Sequence, residues 1–446
     1  MARSKGKSKK ASARKGTSAQ KNSSAQRSAS AQSKDSVRAS AEAAVAAQDP
    51  TVALRKPSRS FWIAVVASVA AIIGGGICWI VMLSNGLLAT TGLNNIFNWG
   101  LLIAVFAFLV GFGAGAQFVA SGLVYTRDRL LMRFAIPAQA IALAGGCGAG
   151  IAIIADLGQP GHMLSLVSHP NFMSPLTWDM IALSLFVVAS VVCLVALARR
   201  WDSLRVWMGI GAACALFLQI VEGVLFSSQG ARAWWSSIIM PIDFVVVAFV
   251  SGLALMTAVC ALSSREGARK GARTLGDWLF WAVLVHIALA LIELFLLMSE
   301  GEGGPAMALS LVLGSLWLYI IELGLPLAAV IVLRIGLREE SSVRMFWCSV
   351  AVIVGLFAHR IMLLVPALGG VTLFTQLSNE ASPYWAYPAS TGFYASAKET
   401  FALSTGLLPS GIEWASILLP IGAMVLIAVV CTRLASVPGA GEGPRS

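Results

Sequence analysis

The sequence predicts an all-α integral membrane protein with about ten transmembrane helices. Of its 446 residues, 57% are hydrophobic and only 12% are charged, and the mean hydropathy is +0.80. A soluble domain usually carries roughly a quarter of charged residues. A surface that faces lipid therefore explains this composition better than two or three soluble domains do.

The first segment, residues 1–57, is expected to be a disordered basic tail. Residues 1–60 hold fourteen of the 32 Lys and Arg among Ala, Ser and Gln, and such a segment cannot bury enough apolar surface to offset its ordering entropy. We interpret it as a solvated cytoplasmic tail that contacts anionic lipid head groups, and not as a nucleic-acid-binding arm. It does not resemble a signal peptide, because no apolar segment follows until Phe61.

The rest of the chain, 58–435, is the predicted transmembrane domain, and 436–446 form a short C-terminal tail. A span needs about 20 apolar residues. Ten runs qualify: 61–83, 97–125, 134–155, 177–198, 205–226, 239–262, 277–298, 306–333, 344–367 and 411–432. The eighth run contains Gly324 and Pro326, which predict a tilted or kinked helix.

The loops alternate in charge and so predict the orientation. The four loops on the side of the N-terminus carry thirteen Lys and Arg between Arg127 and Arg344, whereas the five opposite loops carry only Arg232 and Lys398. The positive-inside rule then places both chain ends in the cytoplasm. Two outer loops, 156–176 and 368–410, are long enough to predict a docking surface or a lid.

Ionisable residues within the spans are costly in lipid and are candidates for function. Most lie towards the outer ends; Glu322 is some sixteen residues into the eighth run, and His286 is also deeper. The full set is Asp156, Asp179, Glu222, Asp243, His286, Glu293, Glu322, His359, Arg360 and Glu413. Acids at helix starts, such as Asp179 and Asp243, are also explained by the helix dipole. Any one helix-end acid is about as well explained by snorkelling to water.

Arg360 cannot lose its charge by a shifted pKa, so we expect a buried acid beside it, and Glu293 and Glu413 lie at a suitable depth. His286 and Glu293 are seven residues apart and share one helix face. These side chains predict a polar pocket in the outer leaflet with a proton path. Such a pocket suits a quinone, whose oxygens take up a proton with each electron.

Two further residue classes have simpler explanations. The glycine clusters GFGAG (111–115) and GGCGAG (145–150) follow no strand, so we interpret them as close helix packing and not as nucleotide-binding loops.

The seven cysteines are scattered singly without metal-ligand spacing, which predicts small buried apolar residues and no metal site in this chain.

The segment DLGQPGHMLSLVSHPNFMSPLTWDM (156–180) resembles the NrfD/PsrC family of membrane subunits of polysulfide, nitrite and dimethyl sulfoxide reductases. Further similarity covers about residues 97–430. It is carried by WGLLIAVFAFLVGFGAGA (99–116), ARAWWSSIIMPIDFVVVAFVSGLAL (231–255), IELGLPLAAVI (321–331), the His-Arg pair 359–360 and LPSGIEW (408–414).

The resemblance implies two four-helix bundles, helices 2–5 and 6–9, with a flanking helix at each end. It also implies a quinone site near the outer face, for menaquinone or ubiquinone, with no haem and no metal in this chain. The implied partners are a ferredoxin-like iron–sulfur subunit and a molybdopterin catalytic subunit outside a bacterial or archaeal cytoplasmic membrane. The implied role is electron transport, as in anaerobic respiration.

On this basis the predicted quinone-binding residues are Asp156, His162, His169, Asn171 and Trp178. For His169 and Asn171, a purely structural role in the loop is an equal alternative, because Asn and Pro favour turns. The predicted proton path is Glu222, Glu293, Glu322, His359 and Glu413, with Arg360 as the fixed counter-charge.

The chain departs from the family pattern at three places. Gln159 and His162 stand where the family has arginines, which weakens any charge pairing there, and Gln219 stands near the position of a helical histidine in some members. The spacing around Glu322 is also one residue shorter.

Two other functions remain open. A secondary transporter also suits ten helices with charges within the membrane, but it predicts matched broken helices, and only the Gly324–Pro326 break is evident. A b-type cytochrome needs paired histidines, and we expect His286 and His359 to lie at different depths.

Overall fold

The protein is described here by a computed structural model, which defines residues 58–91, 99–126, 128–228, 235, 237–299, 312–313, 315–369 and 409–436. The predicted tail 1–57, the predicted tail 436–446 apart from its first residue, and most of the predicted outer loop 368–410 lie outside these residues. The described part contains helices and no strand, as the composition predicts.

Ten described helices are long and apolar enough to cross a membrane, which confirms the predicted number. They are α1 (Arg59–Asn85), α2 (Leu101–Tyr125), α3 (Ala135–Asp156), α4 (Pro175–Ala198), α5 (Leu204–Ser227), α6 (Met240–Leu262), α7 (Ala268–Ser299), α8 (Leu316–Arg338), α9 (Ser342–Gly369) and α10 (Gly411–Ala435).

Helices α2 and α6 form the centre of the bundle. α2 packs on α3, α5 and α6, and α6 also packs on α5, α7 and α9. This arrangement divides the core into the group α2–α5 and the group α6–α9. The added helices α1 and α10 pack on each other, and α10 packs on α3, so both lie beside the first group.

The glycine clusters bring backbones together. A Cβ on Gly145 of α3 would lie 2.6 Å from the Cα of Gly113 in α2. On the other side of α2, a Cβ on Gly115 would collide with the carbonyl oxygen of Ala248 in α6. Only glycine allows these approaches, and the packing interpretation of both clusters is therefore confirmed.

Two helices differ from the predicted runs. α7 begins at Ala268, nine residues early, because its first turns are amphipathic: Gly271 and Leu275 are buried whereas Lys270 and Arg273 are exposed. α8 begins after Ser315 and contains a turn of π-helix over Ile320–Gly324, closed by the Leu325 N–H bonded to the Ile320 carbonyl. This wide turn precedes Pro326, which has no N–H to donate.

The two ends of the helical bundle differ in charge. The basic end carries ion pairs between neighbouring connections, including Arg133–Glu266 at 2.9 Å, Arg273–Glu340 at 3.2 Å and a Lys270–Asp128 pair. The opposite end, which we call the acidic end, holds Asp156, Asp179, Asp243, Glu322 and Glu413 where α3 finishes and α4, α6, α8 and α10 begin.

Candidate functional site

A cavity of about 490 Å³ opens at the acidic end between α3 and α4, beside α2 and α5. Its walls are mostly apolar and include Trp99, Cys147, Gly150 and Phe226. The two carboxylates on its wall are Asp156, the last residue of α3, and Asp179, in the first turns of α4. A concave apolar site with a few fixed polar groups is typical of small-molecule binding.

A cluster of two histidines and two acids lies in the second group of helices. His359 of α9 stands between two carboxylates: its Nδ1 is 2.8 Å from Glu322 Oε1, and its Nε2 is 3.0 Å from Asp243 Oδ2. His286 Nδ1 is 3.6 Å from the other oxygen of Asp243. All four side chains are buried.

The two histidine rings are 5.0 Å apart and perpendicular. The expectation that they lie at different depths is therefore wrong, because predicted span ends do not fix relative depth to within a turn. Both nitrogens of His359 are engaged by carboxylates. Among the described residues, no group of three or more His, Cys, Asp or Glu has the arrangement of a metal site.

Arg360 follows His359 and is 1% exposed. Its guanidinium carbon lies 3.9 Å from the centre of the Phe244 ring. Within the described residues, none of its three guanidinium nitrogens makes a hydrogen bond. Its attraction is instead to nearby carboxylates, those of Glu222, Asp243 and Glu293. Of the two acids expected beside Arg360, Glu293 is in this set and Glu413 is not.

Glu222 connects the cavity with the histidine cluster. It is fully buried in α5 and interacts electrostatically with Asp179, on the cavity wall, and with Arg360. The side chain of Gln219 donates to it over 3.5 Å. Glu293 of α7 interacts in the same way with Asp243, His359, Glu322 and Arg360. Ionisable groups thus continue from Asp179 to Glu322 through the interior.

Glu322 is nearer the acidic end than the predicted run implied. It is the seventh residue of α8 and lies within the π-helical turn, where the sequence suggested a depth of some sixteen residues. A π-turn widens the backbone locally and is frequent at functional sites. The turn places Glu322 next to His359. The later start of α8 therefore brings this acid into the histidine cluster.

Glu413 has a structural task at the start of α10. Its carboxylate accepts from the Ser410 N–H over 2.8 Å, and the Ser410 hydroxyl accepts from the Glu413 N–H over 3.3 Å. This reciprocal pair is a capping box, which stabilises the first turn of a helix. Asp156 is the one further acid that interacts electrostatically with it among the described residues. Glu413 thus lies close to Asp156 and to the Leu101 backbone N–H at the acidic end, and within the described residues Arg360 is not among the groups that interact with it.

The connection between α3 and α4 contains the other predicted quinone residues. His162 ends a 3₁₀ turn at Pro160–His162, and its side chain lies outside the described part of the structure. His169 is exposed and its Nδ1 is 2.9 Å from the Ser168 hydroxyl. His169 is not among the described residues that line the cavity.

Asn171 and Trp178 stabilise the same connection. The Asn171 side chain accepts from the Met173 N–H over 3.0 Å, and the Trp178 indole donates to the Phe172 carbonyl over 2.9 Å. These bonds supply a structural role for both residues, whereas the cavity is lined by their neighbours Leu176 and Asp179.

The predicted quinone-binding residues and proton path do not include Asp179, Asp243 and His286, although all three are candidates within the spans and His286 is placed with Glu293 in the predicted polar pocket. Asp179 and Asp243 follow a proline at a helix start, and the helix dipole alone explains an acid there. The available signal was that both are ionisable residues inside spans, since such residues are candidates for function by default. Their partners come from other helices and could not be inferred from spacing.

The comparisons with known proteins agree with this architecture. The family described as "Polysulphide reductase, NrfD" matches residues 89–371, more than half of the chain. A protein of Halobacterium salinarum that is named as a membrane subunit of a dimethyl sulfoxide reductase is 31% identical over 284 residues, which are 57% of this chain and 64% of that protein.

A second relative is named as an Hdr-like menaquinol oxidoreductase integral membrane subunit of Archaeoglobus fulgidus. It is 26% identical over 168 residues, which are 37% of this chain and 42% of that protein. The matches thus span less than two thirds of the length of either relative. The extent of the family match, together with ten spanning helices, establishes that this chain is an integral membrane protein of the NrfD (polysulphide reductase) family.

Proposed function

We propose that the chain is the quinone-interacting membrane subunit of a multi-subunit oxidoreductase. The observation that carries this proposal is the cavity at the acidic end, which joins apolar walls to two carboxylates. One of these, Asp179, interacts electrostatically with the buried Glu222 behind the wall. The names of the relatives support it, because one is a reductase membrane subunit and the other a menaquinol oxidoreductase membrane subunit.

The residues of the chain supply the proton chemistry. A quinol gives up two protons when it gives up two electrons, and a carboxylate within hydrogen-bond reach is a suitable acceptor. Asp179 on the cavity wall receives a proton in this scheme, and Glu222 behind it passes the proton toward the Arg360 region. Glu293, Glu322 and His359 continue the path, with Arg360 as the fixed positive charge.

The partners and the membrane side belong to the same proposal. The basic end carries the loops that the positive-inside rule assigns to the cytoplasm, so the acidic end faces outward from a bacterial or archaeal cytoplasmic membrane. The α3–α4 connection there exposes Phe172 and Met173, the latter to 93%. Exposed apolar side chains beside the cavity mouth suit the docking of an iron–sulfur electron-transfer subunit of a molybdopterin enzyme.

Quinone binding can be tested on the full chain in lipid nanodiscs with 2,3-dimethyl-1,4-naphthoquinone. Carbons 2 and 3 of its quinone ring both carry methyl groups, so the quinone does not alkylate Cys147 of the cavity. We expect saturable quenching of tryptophan fluorescence, because Trp99 lines the cavity. Gly150→Leu fills cavity space, since a Cβ there meets no atom within 4 Å, and should weaken binding at least about tenfold.

The matched control is Gly122→Leu, in a helix of the same group. A Cβ on Gly122 also meets no atom within 4 Å, but this residue does not line the cavity. The dissociation constant of the quinone for Gly122→Leu should equal that for the wild type. Equal binding by both variants would show that the quinone does not occupy this cavity.

A secondary transporter is the remaining alternative. It would require discontinuous helices in corresponding positions of the two halves. α10, which belongs to neither group, is interrupted at Ile417 shortly before Pro420. Within the described parts of the two groups, the π-turn of α8 is the interruption of a spanning helix that has a proline beside it. Its counterpart in the first group, α4, is an uninterrupted α-helix.

A further inference from the structure

Phe244 lies between the cavity and Arg360. One neighbour of its ring is Phe226, a residue of the cavity wall, at 5.4 Å between ring centres and 31° between planes. Another is the Arg360 guanidinium, 3.9 Å from the Phe244 ring centre. Phe244 is 0% exposed, so it has no room to move independently of these neighbours.

A second contact crosses the same boundary. Trp99 of the cavity wall stacks on Trp235 at 5.4 Å and 28°. The Trp235 indole donates a hydrogen bond of 2.6 Å to the Leu363 carbonyl, one turn beyond Arg360 on α9. Phe226 contacts both tryptophans, each at 5.4 Å. The four rings, Trp99, Phe226, Trp235 and Phe244, form one cluster, which we call the aromatic bridge.

The position of Arg360 depends on this bridge. A desolvated guanidinium is attracted to the face of an aromatic ring, and within the described residues no hydrogen bond fixes its nitrogens. The carboxylates that attract the guanidinium are those of Glu222, Asp243 and Glu293, and Glu222 and Glu293 lie on α5 and α7. A displacement of the Phe244 ring therefore changes the distance of the positive charge from both carboxylates.

The bridge is also coupled to the histidine cluster through the backbone. Phe244 directly follows Asp243, and both belong to the first turns of α6. Asp243 and His359 share a hydrogen bond, and the Phe244 ring lies against the guanidinium of Arg360, the next residue of α9. Asp243 and Phe244, which are adjacent in α6, thus contact His359 and Arg360, which are adjacent in α9.

We propose that the aromatic bridge transmits occupancy of the cavity to Arg360, so that a quinone in the cavity places the positive charge where Glu222 and Glu293 exchange protons. This inference rests on the proposed quinone site. Phe244 is then a positioning residue: it contacts Arg360 and acts on the proton path through it. Phe226, which lines the cavity, is the residue through which occupancy of the cavity reaches Phe244. A set of rings that only fills the core would have no such effect on turnover.

The test is the steady-state oxidation of 2,3-dimethyl-1,4-naphthoquinol by the intact complex. Phe244→Leu keeps an apolar side chain but removes the ring under Arg360, and it should lower kcat about tenfold while KM stays within about twofold. Phe244→Tyr restores an aromatic face and should recover most of kcat. Phe226→Leu leaves the Phe244–Arg360 contact in place and should still lower kcat, because the bridge is cut on the cavity side.

Phe134→Leu is the control for packing alone. Phe134 is 1% exposed and lies at the start of α3, at the basic end. The inference is overturned if Phe134→Leu lowers kcat as much as Phe244→Leu, or if Phe244→Leu and Phe226→Leu both keep the wild-type kcat. If Phe244→Leu does not assemble, the test rests on kcat of Phe226→Leu at saturating quinol, because Phe226 lines the cavity and a lost contact with the quinone alone would raise KM and leave kcat unchanged.

The Gly150→Leu binding experiment separates the two proposals. If quinone binding is saturable and weakened by Gly150→Leu while kcat is unchanged in the bridge variants, the proposed role of the aromatic bridge is wrong and the proposed quinone site stands. If the wild type shows no saturable binding, both proposals are wrong. A double-mutant cycle of Phe244→Leu with Arg360→Lys gives a further check, since the effects should be strongly non-additive if both residues act through one contact.

Discussion

His359 and Asp243 are 116 residues apart in the chain and share a buried hydrogen bond of 3.0 Å between Nε2 and Oδ2. The other ring nitrogen of His359 faces Glu322 at 2.8 Å. A histidine held between two carboxylates can accept a proton from one side and donate to the other. This geometry makes His359 the central residue of the proposed proton path.

Replacing His359 by Gln should therefore slow quinol oxidation without removing the quinone site. Gln can hydrogen-bond but does not change its protonation, so the proton relay is lost. Acid–base groups contribute about 10²–10⁴-fold, and we expect a loss of about 10²-fold in kcat for the intact complex. The dissociation constant of 2,3-dimethyl-1,4-naphthoquinone should change less than about twofold, because His359 does not line the cavity.

Glu266→Gln is the control for this variant. It removes the Arg133–Glu266 ion pair at the basic end, where the Glu266 side chain is 70% exposed, and should leave kcat unchanged. A wild-type rate in His359→Gln would exclude this histidine from proton transfer.

The ten helices could be predicted because a run of about 20 apolar residues is a local property of the sequence. The site could be predicted only in outline. Asp243 has the position of an ordinary acid at a helix start, and its role follows from His359, which another helix supplies. Nothing in the sequence distinguishes Phe244 from other aromatic residues, because its proposed role depends on its contacts with Phe226 and Arg360, which other helices supply.

The connection between α2 and α3, where Asp128 caps the short helix Arg129–Met132, should show a measurable dependence on pH. Asp128 accepts from Lys270 and from the backbone N–H groups of Leu130 and Leu131. The hydrogen bond from Lys270 is the largest effect that holds the pKa of Asp128 below its ordinary value of 3.8. The carboxylate therefore stabilises the folded state above about pH 3.8, and this contribution disappears as the pH falls through the lowered pKa.

Asp128→Asn isolates this charge, because an Asn side chain can still accept the two backbone hydrogen bonds. We expect the Tm of the variant in detergent to lie below that of the wild type at pH 7, and the difference to shrink as the pH falls below 4. High salt should reduce the difference as well. A difference in Tm that is equal at pH 7 and pH 3 would contradict the assignment.

The proposed orientation predicts which surface is accessible from outside the cell. Met173 at the acidic end and Asp202 at the basic end are both exposed. Single cysteines introduced at these positions should react differently with a membrane-impermeant maleimide. Met173→Cys should be labelled in intact spheroplasts, and Asp202→Cys only after lysis. Labelling in the reverse order would invert the topology and place the partner subunits in the cytoplasm.

The contact of α2 with α6 predicts that two glycines of α2 respond oppositely to alanine. Gly115→Ala would drive its Cβ into the Ala248 carbonyl, and separating two packed helices should cost about 1–3 kcal/mol. Gly122→Ala, less than two turns further along α2, meets no atom within 4 Å. Alanine is favoured over glycine within a helix by roughly 0.5–1 kcal/mol, so this variant should be neutral or more stable.

Thermal unfolding in detergent tests this pair, with Tm expected to fall for Gly115→Ala and to hold or rise for Gly122→Ala. Gly252→Ala supplies an independent check, because its Cβ would meet the backbone of Gly115 from the α6 side. Gly115→Ala and Gly252→Ala together should cost less than the sum of their separate effects, since one separation of α2 from α6 relieves both collisions. Strictly additive losses would mean that the two glycines do not share a contact.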